Sequence, residues 1–292
     1  MNDFTSFQTT FKKPVHVTGI CLHSGVATDL TLTPAPVDTG IIFKRTDITD
    51  KDNLIKALYS NIVDTRMCSC FGNGVGATAS LTEHLMATLH AYGISNAVIE
   101  IGGPEVPIMD GSAQNFVELF EKAGTVQQDA PRRFLKIKKN VSFTDDKGTT
   151  VELSPAEEGL TIDFEIDFKA PIIGHQQMSF HLNLENFKQQ IAYARTFGLK
   201  QEIDMLHAMG LGKGGSLDNA VVVDNDTILN PDGLRDKLEF VRHKILDSVG
   251  DLYQANMPII GHYKAAKSGH YHNNMILREV FKDPANFEII TL

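Results

Sequence analysis

The segment VRHKILDSVGD carries a histidine and two aspartates at intervals of four residues, namely His243, Asp247 and Asp251. At about 3.6 residues per turn, this spacing places the three side chains on one face of a helix. A histidine and a carboxylate one turn apart can supply two of the three protein ligands of a catalytic zinc ion. The alternative interpretation is a polar helix face that is exposed to solvent.

The helix predicted over residues 236–255 also has an apolar stripe on its other side, formed by Leu238, Val241, Ile245, Val249 and Leu252. Such a stripe is sufficient to dock a helix onto a hydrophobic core. If the opposite face binds a metal ion, a second structural element must lie against it. The segment therefore predicts a helix between two parts of the protein.

A second segment, SLTEHLMATLH, places Glu83 directly before His84. His84 and His90 are six residues apart, so this is not the HExxH helix of zinc proteases. Ser80 and Glu83 match a capping box, in which Glu83 would only hydrogen-bond the start of the helix. The functional interpretation is a general base beside a metal ligand. For His84, the alternative is a histidine buried in the core.

A third segment, KSGHYHNN, places His270 after Ser268 and Gly269, a pair typical of turns. A histidine at the junction of a turn and a helix can reach into a cleft, and the alternative is a surface position. Asp251 is a suitable partner, because an adjacent carboxylate raises the pKa of a histidine. The histidine then becomes a better proton donor near neutral pH.

These segments are more informative together than separately. If the two helices face each other, one three-ligand metal site can form from His84, His243 and Asp247. Water would take the fourth position, as in catalytic zinc sites. The sequence thus indicates a catalytic type of metal site, with an acid or a base near each of the two helices.

Other motifs argue against nucleotide loops and structural zinc. The glycine-rich stretches 210–215 (GLGKGG) and 72–77 (GNGVGA) lack the strand–turn–helix context of a dinucleotide site, and Lys213 is followed by Gly214 rather than by Ser or Thr. The three cysteines are an odd number, typical of reduced thiols in a cytoplasm. The Cys68-Ser69-Cys70 motif has no second cysteine pair, so a structural zinc knuckle is not expected.

Composition excludes several classes of protein. A formal net charge of −9 over 292 residues argues against a nucleic-acid-binding surface. The start of the chain, MNDFTSFQTTFKK, lacks the apolar segment of a secretory signal. No apolar run approaches the roughly 18 residues needed to span a bilayer. We therefore expect a cytoplasmic protein without a membrane span and without a nucleic-acid partner.

The order of predicted elements is strands followed by helices, twice, which indicates an α+β architecture in two halves. The first half has strands before a helix that starts at Ser80, then a strand and a second helix that ends before Gly124. The polar stretch at 126–131 is the predicted linker. The predicted domains are 1–125, with Glu83 and His84, and 132–292, with His243, Asp247 and His270.

Several blocks closely resemble the bacterial UDP-3-O-acyl-N-acetylglucosamine deacetylases, the zinc amidases of lipid A synthesis. They are SLTEHL, PIMDGSA, ARTFG, GGSLDNAVVVD, EFVRHKILDSVGDL and KSGHYHNN, and the similarity runs in order from about Val15 to Val280. The resemblance implies two similar domains, each a mostly antiparallel sheet with two helices. It also implies that the helix layers are sandwiched between the sheets and that each domain carries one insert.

By matching position, the resemblance places the zinc ligands at His84, His243 and Asp247. It places the general base at Glu83 and the charged histidine that assists departure of the leaving group at His270, with Asp251 beside it.

The resemblance further implies that the hydroxyl of Thr196 helps to hold the oxyanion and that Lys244 contacts the substrate. The remaining implied substrate-binding positions are Met67, Cys68, Phe197, Asp167, Phe168 and Lys267. Candidates for an acyl passage are Ile203, Leu206 and Val222, for which core packing is the alternative.

The implied reaction is zinc-dependent hydrolysis of an acetamide, the committed step of lipid A biosynthesis, with one Zn²⁺ per chain. Iron(II) is the alternative occupant of such a site. The implied partner is a small acylated UDP-sugar, in the cytoplasm of a Gram-negative-type bacterium. A monomer is the default expectation, with at most transient association with the membrane surface.

Two other functions stay open. The first is a zinc amidase of the same fold that acts on a different N-acyl sugar nucleotide. The second is a non-catalytic sugar-nucleotide-binding module with a structural metal. The presence of Glu83 and His270 argues against the second, since such a module needs neither base nor acid, and structural zinc prefers four ligands rich in cysteine.

Overall fold

The computed structural model describes residues 5–291. Its helices, in chain order, are α1 (Glu83–Ala91), α2 (Gln114–Ala123), α3 (Leu184–Asn186), α4 (Lys200–Ala208), α5 (Glu239–Leu252) and α6 (His270–Lys282). A π-helical turn, Phe187–Ile191, continues α3. Within these residues, no helix combines the length and apolarity needed to cross a membrane.

Ten strands precede residue 132. They are β1 (Phe7–Phe11), β2 (Val15–Ile20), β3 (Ala27–Pro34), β4 (Ile41–Arg45), β5 (Leu54–Lys56), β6 (Ile62–Asp64), β7 (Cys70–Gly72), β8 (Thr78–Ala79), β9 (Ala97–Ile101) and β10 (Thr125–Pro131). The main sheet has the order β2-β3-β9-β4-β5, antiparallel except for the pair β4 and β9. Strands β6, β7 and β8 form a separate small sheet.

Ten further strands follow. They are β11 (Arg133–Ile137), β12 (Val141–Thr144), β13 (Thr150–Ser154), β14 (Leu160–Asp167), β15 (His175–His181), β16 (Phe197–Leu199), β17 (Val221–Asp224), β18 (Thr227–Ile228), β19 (Ile259–Ala266) and β20 (Phe287–Thr291). The main sheet has the order β12-β13-β19-β11-β20, with β14 paired to both β15 and β19. Four of its six pairings are antiparallel. Strands β16, β17 and β18 form another small sheet, which adjoins α4.

Helices α1, α2, α5 and α6 lie between the two main sheets, as predicted. Strand residues alternate in burial: in β14 the pattern Leu160–Asp167 places leucine, isoleucine and phenylalanine inside and polar residues outside. One apolar cluster joins the second sheet to α5 and α6, and another joins the first sheet to α1 and α2. Helices α1 and α5 pack directly against each other across the middle of the molecule. The mixed α+β prediction is therefore confirmed, and the small sheets and α4 are additions to the two main layers.

A glycine permits the close crossing of α1 and α5. A Cβ atom at Gly250 would lie 2.0 Å from the carbonyl oxygen of Glu83, far inside van der Waals contact. The absence of a side chain at Gly250 therefore lets α5 approach the residue that begins α1. This crossing brings the polar faces of both helices together.

Both helices predicted around the site were too long. The first helix starts at Glu83 rather than Ser80, because Leu81 has a φ of 58°, which is incompatible with a right-handed helix. The long helix spans Glu239–Leu252 rather than 236–255, and its last predicted residues form a 3-10 turn, Tyr253–Ala255.

The stretch predicted as a linker, 126–131, lies within β10, which pairs with β1 in antiparallel fashion. Its polar side chains take part in hydrogen bonding: Asn96 donates to the oxygen of Gln128 at 2.7 Å, and Gln128 donates to the carbonyl of Ala35 at 2.9 Å. A two-stranded edge pair buries little apolar surface, so its sequence lacks the alternation that identifies a strand. The division into 1–125 and 132–292 stays a prediction.

Candidate metal centre and active site

Three buried side chains converge where α1 and α5 cross. His84 comes from α1, and His243 and Asp247 come from α5, and each offers a ligand atom within 4.8 Å of the others. The two imidazole rings are nearly perpendicular, with centroids 5.0 Å apart. His84 Nε2 lies 3.6 Å and His243 Nε2 lies 3.3 Å from Asp247 Oδ1. The outward face predicted for the α5 segment is thus buried, so the solvent-exposed interpretation is wrong.

The donor set suits a metal ion. Among the described residues, Asp247 Oδ1 is buried and has no hydrogen-bond partner, although an unpaired buried carboxylate oxygen is energetically costly. His243 Nδ1 lies 3.1 Å from the carbonyl of Ala194, which leaves Nε2 to face the centre. Burial lowers the pKa of His243 to about 3, so its imidazole is neutral at pH 7. A neutral imidazole has the lone pair that metal coordination requires.

Asp247 is held in its ionised form. Burial acts to raise the pKa of this carboxyl, but its neighbours, above all the His243 imidazole and the Lys244 ammonium, hold the pKa well below the ordinary value. Lys244 Nζ lies 2.7 Å from Asp247 Oδ2, on the side away from the unpartnered oxygen. The result is an anionic ligand with one oxygen anchored and the other available.

Glu83 lies directly beside this centre. Its Oε2 accepts a hydrogen bond from the backbone N–H of Ser69 at 3.1 Å, and its Oε1 is 4.0 Å from His270 Nε2. Burial raises its pKa, which the nearby His270 and His84 partly oppose. In the part of the chain that the structure describes, α1 has no side-chain cap, and Ser80 donates instead to the carbonyl of Pro104. The capping-box interpretation of Glu83 is therefore wrong.

His270 forms a close pair with Asp251. Its Nδ1 is 2.8 Å from Asp251 Oδ2, and its side chain is only 11% exposed. Burial alone would lower the pKa of His270, but the charge and hydrogen bond of Asp251, with help from Glu83, raise it to about 9. The imidazole is therefore cationic at neutral pH, with Nε2 directed towards Glu83. The surface interpretation of this histidine is wrong.

Asp251 itself is surrounded by donors. Its side chain is fully buried, and Oδ2 also accepts from Asn273 Nδ2 at 2.8 Å. Oδ1 accepts from the hydroxyl of Ser69 and from Gln254 Nε2. Ser69, Gln254 and Asn273 were not predicted as site residues, because amide and hydroxyl side chains without acid–base chemistry carry no signal in spacing alone. The available indications were that Asn273 lies within the segment KSGHYHNN and Ser69 within the motif Cys68-Ser69-Cys70.

A cavity of about 700 Å³ opens onto the metal centre and the His270 side chain. Its polar wall includes Thr196, Lys244 and Lys267, and its apolar wall includes Met67, Phe197, Ile203, Leu206 and Val222. Every residue of α4, which supplies part of the apolar wall, is at least partly exposed. A second cavity, of about 630 Å³, lies on the outer face of the second main sheet, between β13, β19, β14 and β15.

The segment around Thr196 is fixed from both sides. Its backbone N–H donates to the carbonyl of Gly111 at 2.7 Å, and the preceding Arg195 forms a buried ion pair with Glu239 at 2.8 Å. Gly111 has a φ of 82°, and its Cβ would lie 2.0 Å from the carbonyl oxygen of Asn219, so glycine is required there. Residues of both halves thus position Thr196 at the cavity.

Three of the predicted substrate-binding residues do not line the cavity of about 700 Å³ but contact residues that do. Cys68 is buried in a small apolar cluster with Leu81 and Ile108, and burial and the nearby Glu83 raise the pKa of its thiol well above the ordinary value. Asp167 accepts a hydrogen bond from Lys267 at 2.6 Å. Phe168 packs edge-on against Phe197 with ring centroids 5.5 Å apart. Asp167 and Phe168 thus contact Lys267 and Phe197, which line the cavity.

Two α+β layers with a buried histidine–histidine–aspartate group and an adjacent acid–base pair are the features of a metal-dependent hydrolase. The family model described as "LpxC: UDP-3-O-acyl N-acetylglycosamine deacetylase" matches residues 8–282. The chain therefore belongs to this deacetylase family, and the resemblance seen in the sequence is confirmed.

Individual relatives match this chain over nearly its full length. A UDP-3-O-acyl-N-acetylglucosamine deacetylase of Psychrobacter sp. (strain PRwf-1) is 46% identical over 289 residues, which cover 98% of this chain and 95% of the relative. Proteins of the same name from Haemophilus ducreyi (strain 35000HP / ATCC 700724) and Phenylobacterium zucineum (strain HLK1) are 44% and 43% identical. They cover 97% and 98% of this chain, and 93% and 97% of the relatives.

Proposed function

We propose that this chain hydrolyses the acetamide of UDP-3-O-acyl-N-acetylglucosamine to acetate and UDP-3-O-acyl-glucosamine, the committed step of lipid A biosynthesis. The observation that carries the proposal is the unpartnered Oδ1 of Asp247, buried between two histidines and beside Glu83 and a cationic His270. Family membership and the names of the relatives support the same reaction and its substrate.

The metal ligands would be His84, His243 and Asp247, one metal ion per chain. A zinc ion held there would polarise the acetyl carbonyl and lower the pKa of water to about 7. Zinc is the proposed metal, because two imidazoles and a carboxylate form a common catalytic zinc set. Iron(II) accepts the same donors and is the alternative.

Glu83 is the proposed general base. It lies one residue before His84, at the start of α1, and it takes the proton from the attacking water. Its buried position raises its pKa, so the carboxylate holds the transferred proton more readily than an exposed glutamate would. The backbone N–H of Ser69 fixes Oε2, which leaves Oε1 to face the cavity.

His270 is the proposed acid. Its charged imidazole carries a proton on Nε2, and Asp251 holds the ring through Nδ1. An amide nitrogen is a poor leaving group unless it is protonated, so His270 donates its proton to the departing amine. Thr196 donates its hydroxyl hydrogen to the oxyanion, an interaction of the kind worth roughly 3–4 kcal/mol.

The two walls of the cavity match the two ends of the substrate. Ile203, Leu206 and Val222 would take the acyl chain, since apolar chains bind to apolar surfaces. Lys244 and Lys267 would face the sugar diphosphate as cations. We assign Met67 and Phe197 to contacts with the sugar and the acyl chain, and Asp167, Phe168 and Cys68 to the support of these residues.

We further propose that the chain acts as a monomer in the cytoplasm of a Gram-negative-type bacterium, with its domains at 1–125 and 132–292. Because the substrate carries an acyl chain, transient contact with the membrane surface would accompany its exchange.

The test of the proposed substrate compares two acceptors. Purified protein is given UDP-3-O-acyl-N-acetylglucosamine or UDP-N-acetylglucosamine without the 3-O-acyl chain, and acetate release is measured. We expect efficient release only from the acylated compound, because its chain fills the apolar wall. Equal rates on both compounds, or release from the unacylated compound alone, would assign the chain to another N-acyl sugar nucleotide.

A further inference from the structure

Ser69 lies between the two groups that exchange protons in the proposed reaction. Its side chain is fully buried. Its backbone N–H donates to Glu83 Oε2 at 3.1 Å, and its hydroxyl donates to Asp251 Oδ1. One residue of the loop before β7 therefore contacts both the base on α1 and the carboxylate that holds His270.

The direction of the hydroxyl hydrogen follows from its neighbours. Gln254 Nε2 donates to Ser69 Oγ at 3.1 Å, which occupies a lone pair of that oxygen. An amide N–H can only donate, so the single hydroxyl hydrogen of Ser69 is left to point at Asp251. On the other side, the carbonyl of Ser69 accepts from the Thr82 hydroxyl at 3.0 Å, which ties the loop to the start of α1.

This arrangement sets the relative position of two elements that different parts of the chain supply. Glu83 begins α1, and Asp251 lies near the end of α5. His270 comes from α6 and reaches Glu83 Oε1 at 4.0 Å only through the orientation that Asp251 gives its ring. A shift of Asp251 would therefore change the distance between acid and base.

We propose that Ser69 is a positioning residue for the deacetylation, whose hydroxyl fixes Asp251 so that His270 and Glu83 stay aligned across the cavity. The inference rests on the proposed function. Asp251 keeps Gln254 and Asn273 as donors when the hydroxyl is lost, so the fold persists while the alignment relaxes. Ser69 acts on the substrate through Asp251 and His270, and not by direct contact.

The experiment compares Ser69→Ala and Ser69→Thr with the wild type in acetate release. We expect Ser69→Ala to lower kcat roughly 10- to 100-fold with KM nearly unchanged, because misplaced catalytic groups slow the chemical step. Ser69→Thr keeps the hydroxyl and should recover most of kcat. The matched control is Thr10→Val in β1. This variant removes a buried hydroxyl that donates to the carbonyl of Asn96, and it should leave kcat unchanged.

A double-mutant cycle separates positioning from a general structural effect. In a His270→Ala background, Ser69→Ala should cost little further activity, because the group through which it acts is gone. The same fold-loss in both backgrounds would overturn the proposal, as would a kcat of Ser69→Ala equal to that of the wild type. If thermal melting shows that Ser69→Ala does not fold, Ser69→Cys, whose thiol is a weak donor, replaces it in the cycle. A wild-type protein without deacetylase activity would instead refute the proposed function itself.

Discussion

Replacement of Asp251 by asparagine should lower the pKa of His270. In the wild type, burial lowers this pKa, and Asp251 overcomes burial through its charge and a 2.8 Å hydrogen bond. An asparagine keeps a similar shape but removes the charge. Burial then acts against the weaker remaining attraction of Glu83 and Asp247, and the histidine loses its preference for the charged form.

The magnitude follows from the wild-type pKa. It is about 9, compared with 6.5 for an ordinary histidine. This difference corresponds to about 3 kcal/mol in favour of the imidazolium. We expect the pKa of His270 in Asp251→Asn to fall to the ordinary value of 6.5 or below. At pH 8, the protonated fraction would then be lower by a factor of roughly 30.

The assay is an NMR titration of the His270 ring in metal-free protein, followed by the pH dependence of kcat/KM. The alkaline limb of kcat/KM should move towards acidic pH in the same direction as the ring pKa. The matched control is Asp163→Asn. It removes the charge from a similar 2.8 Å carboxylate–histidine pair, formed with His262 in the second main sheet. A ring pKa still near the wild-type value in Asp251→Asn would show that Asp251 does not keep His270 charged.

The same substitution should change how the free energy of unfolding depends on pH. A raised histidine pKa stabilises the folded state fully below the unfolded pKa of 6.5, and this contribution is lost as pH rises through about 9. The difference in free energy of unfolding between wild type and Asp251→Asn should therefore shrink between these values. A further, pH-independent loss is expected, because the new amide would place N–H donors against those that surround position 251.

Three further substitutions test other parts of the site. Glu83→Gln should keep its metal but lose activity on the order of 10²-fold or more, and nearly full activity would contradict its role as base. His243→Ala should be purified without metal, and unchanged metal content by elemental analysis would contradict the ligand assignment. Gly250→Ala should destabilise the protein by about 3 kcal/mol or more, because its Cβ would overlap the carbonyl of Glu83. Gly103→Ala, whose Cβ meets only Thr28 Oγ1 at 3.6 Å, is the control, and equal melting temperatures for the two variants would exclude the close helix crossing.

Local periodicity was sufficient to predict much of the site. The four-residue spacing of His243, Asp247 and Asp251 and the apolar stripe opposite them defined both faces of α5. Burial of both faces could be inferred only because a helix face that binds a metal ion needs a second structural element against it. Family resemblance added Thr196 and the substrate-binding positions, which no local pattern identifies.

Long-range contacts could not be predicted from the sequence. The close approach at Gly250 depends on which residue of α1 it meets, and one glycine within a helix does not reveal this. The donors around Asp251, among them Ser69, come together only through the tertiary fold. The start of α1 was misplaced because the left-handed backbone at Leu81 is set by its surroundings and not by leucine itself.

The proposed amide hydrolysis depends on a metal ion at the crossing of α1 and α5. The most direct test measures acetate release from UDP-3-O-acyl-N-acetylglucosamine by the protein as isolated, after chelation, and after zinc is returned. We expect activity to disappear with the metal and to recover when zinc is restored. Undiminished turnover in metal-free protein, or no turnover in a folded and zinc-loaded sample, would contradict it.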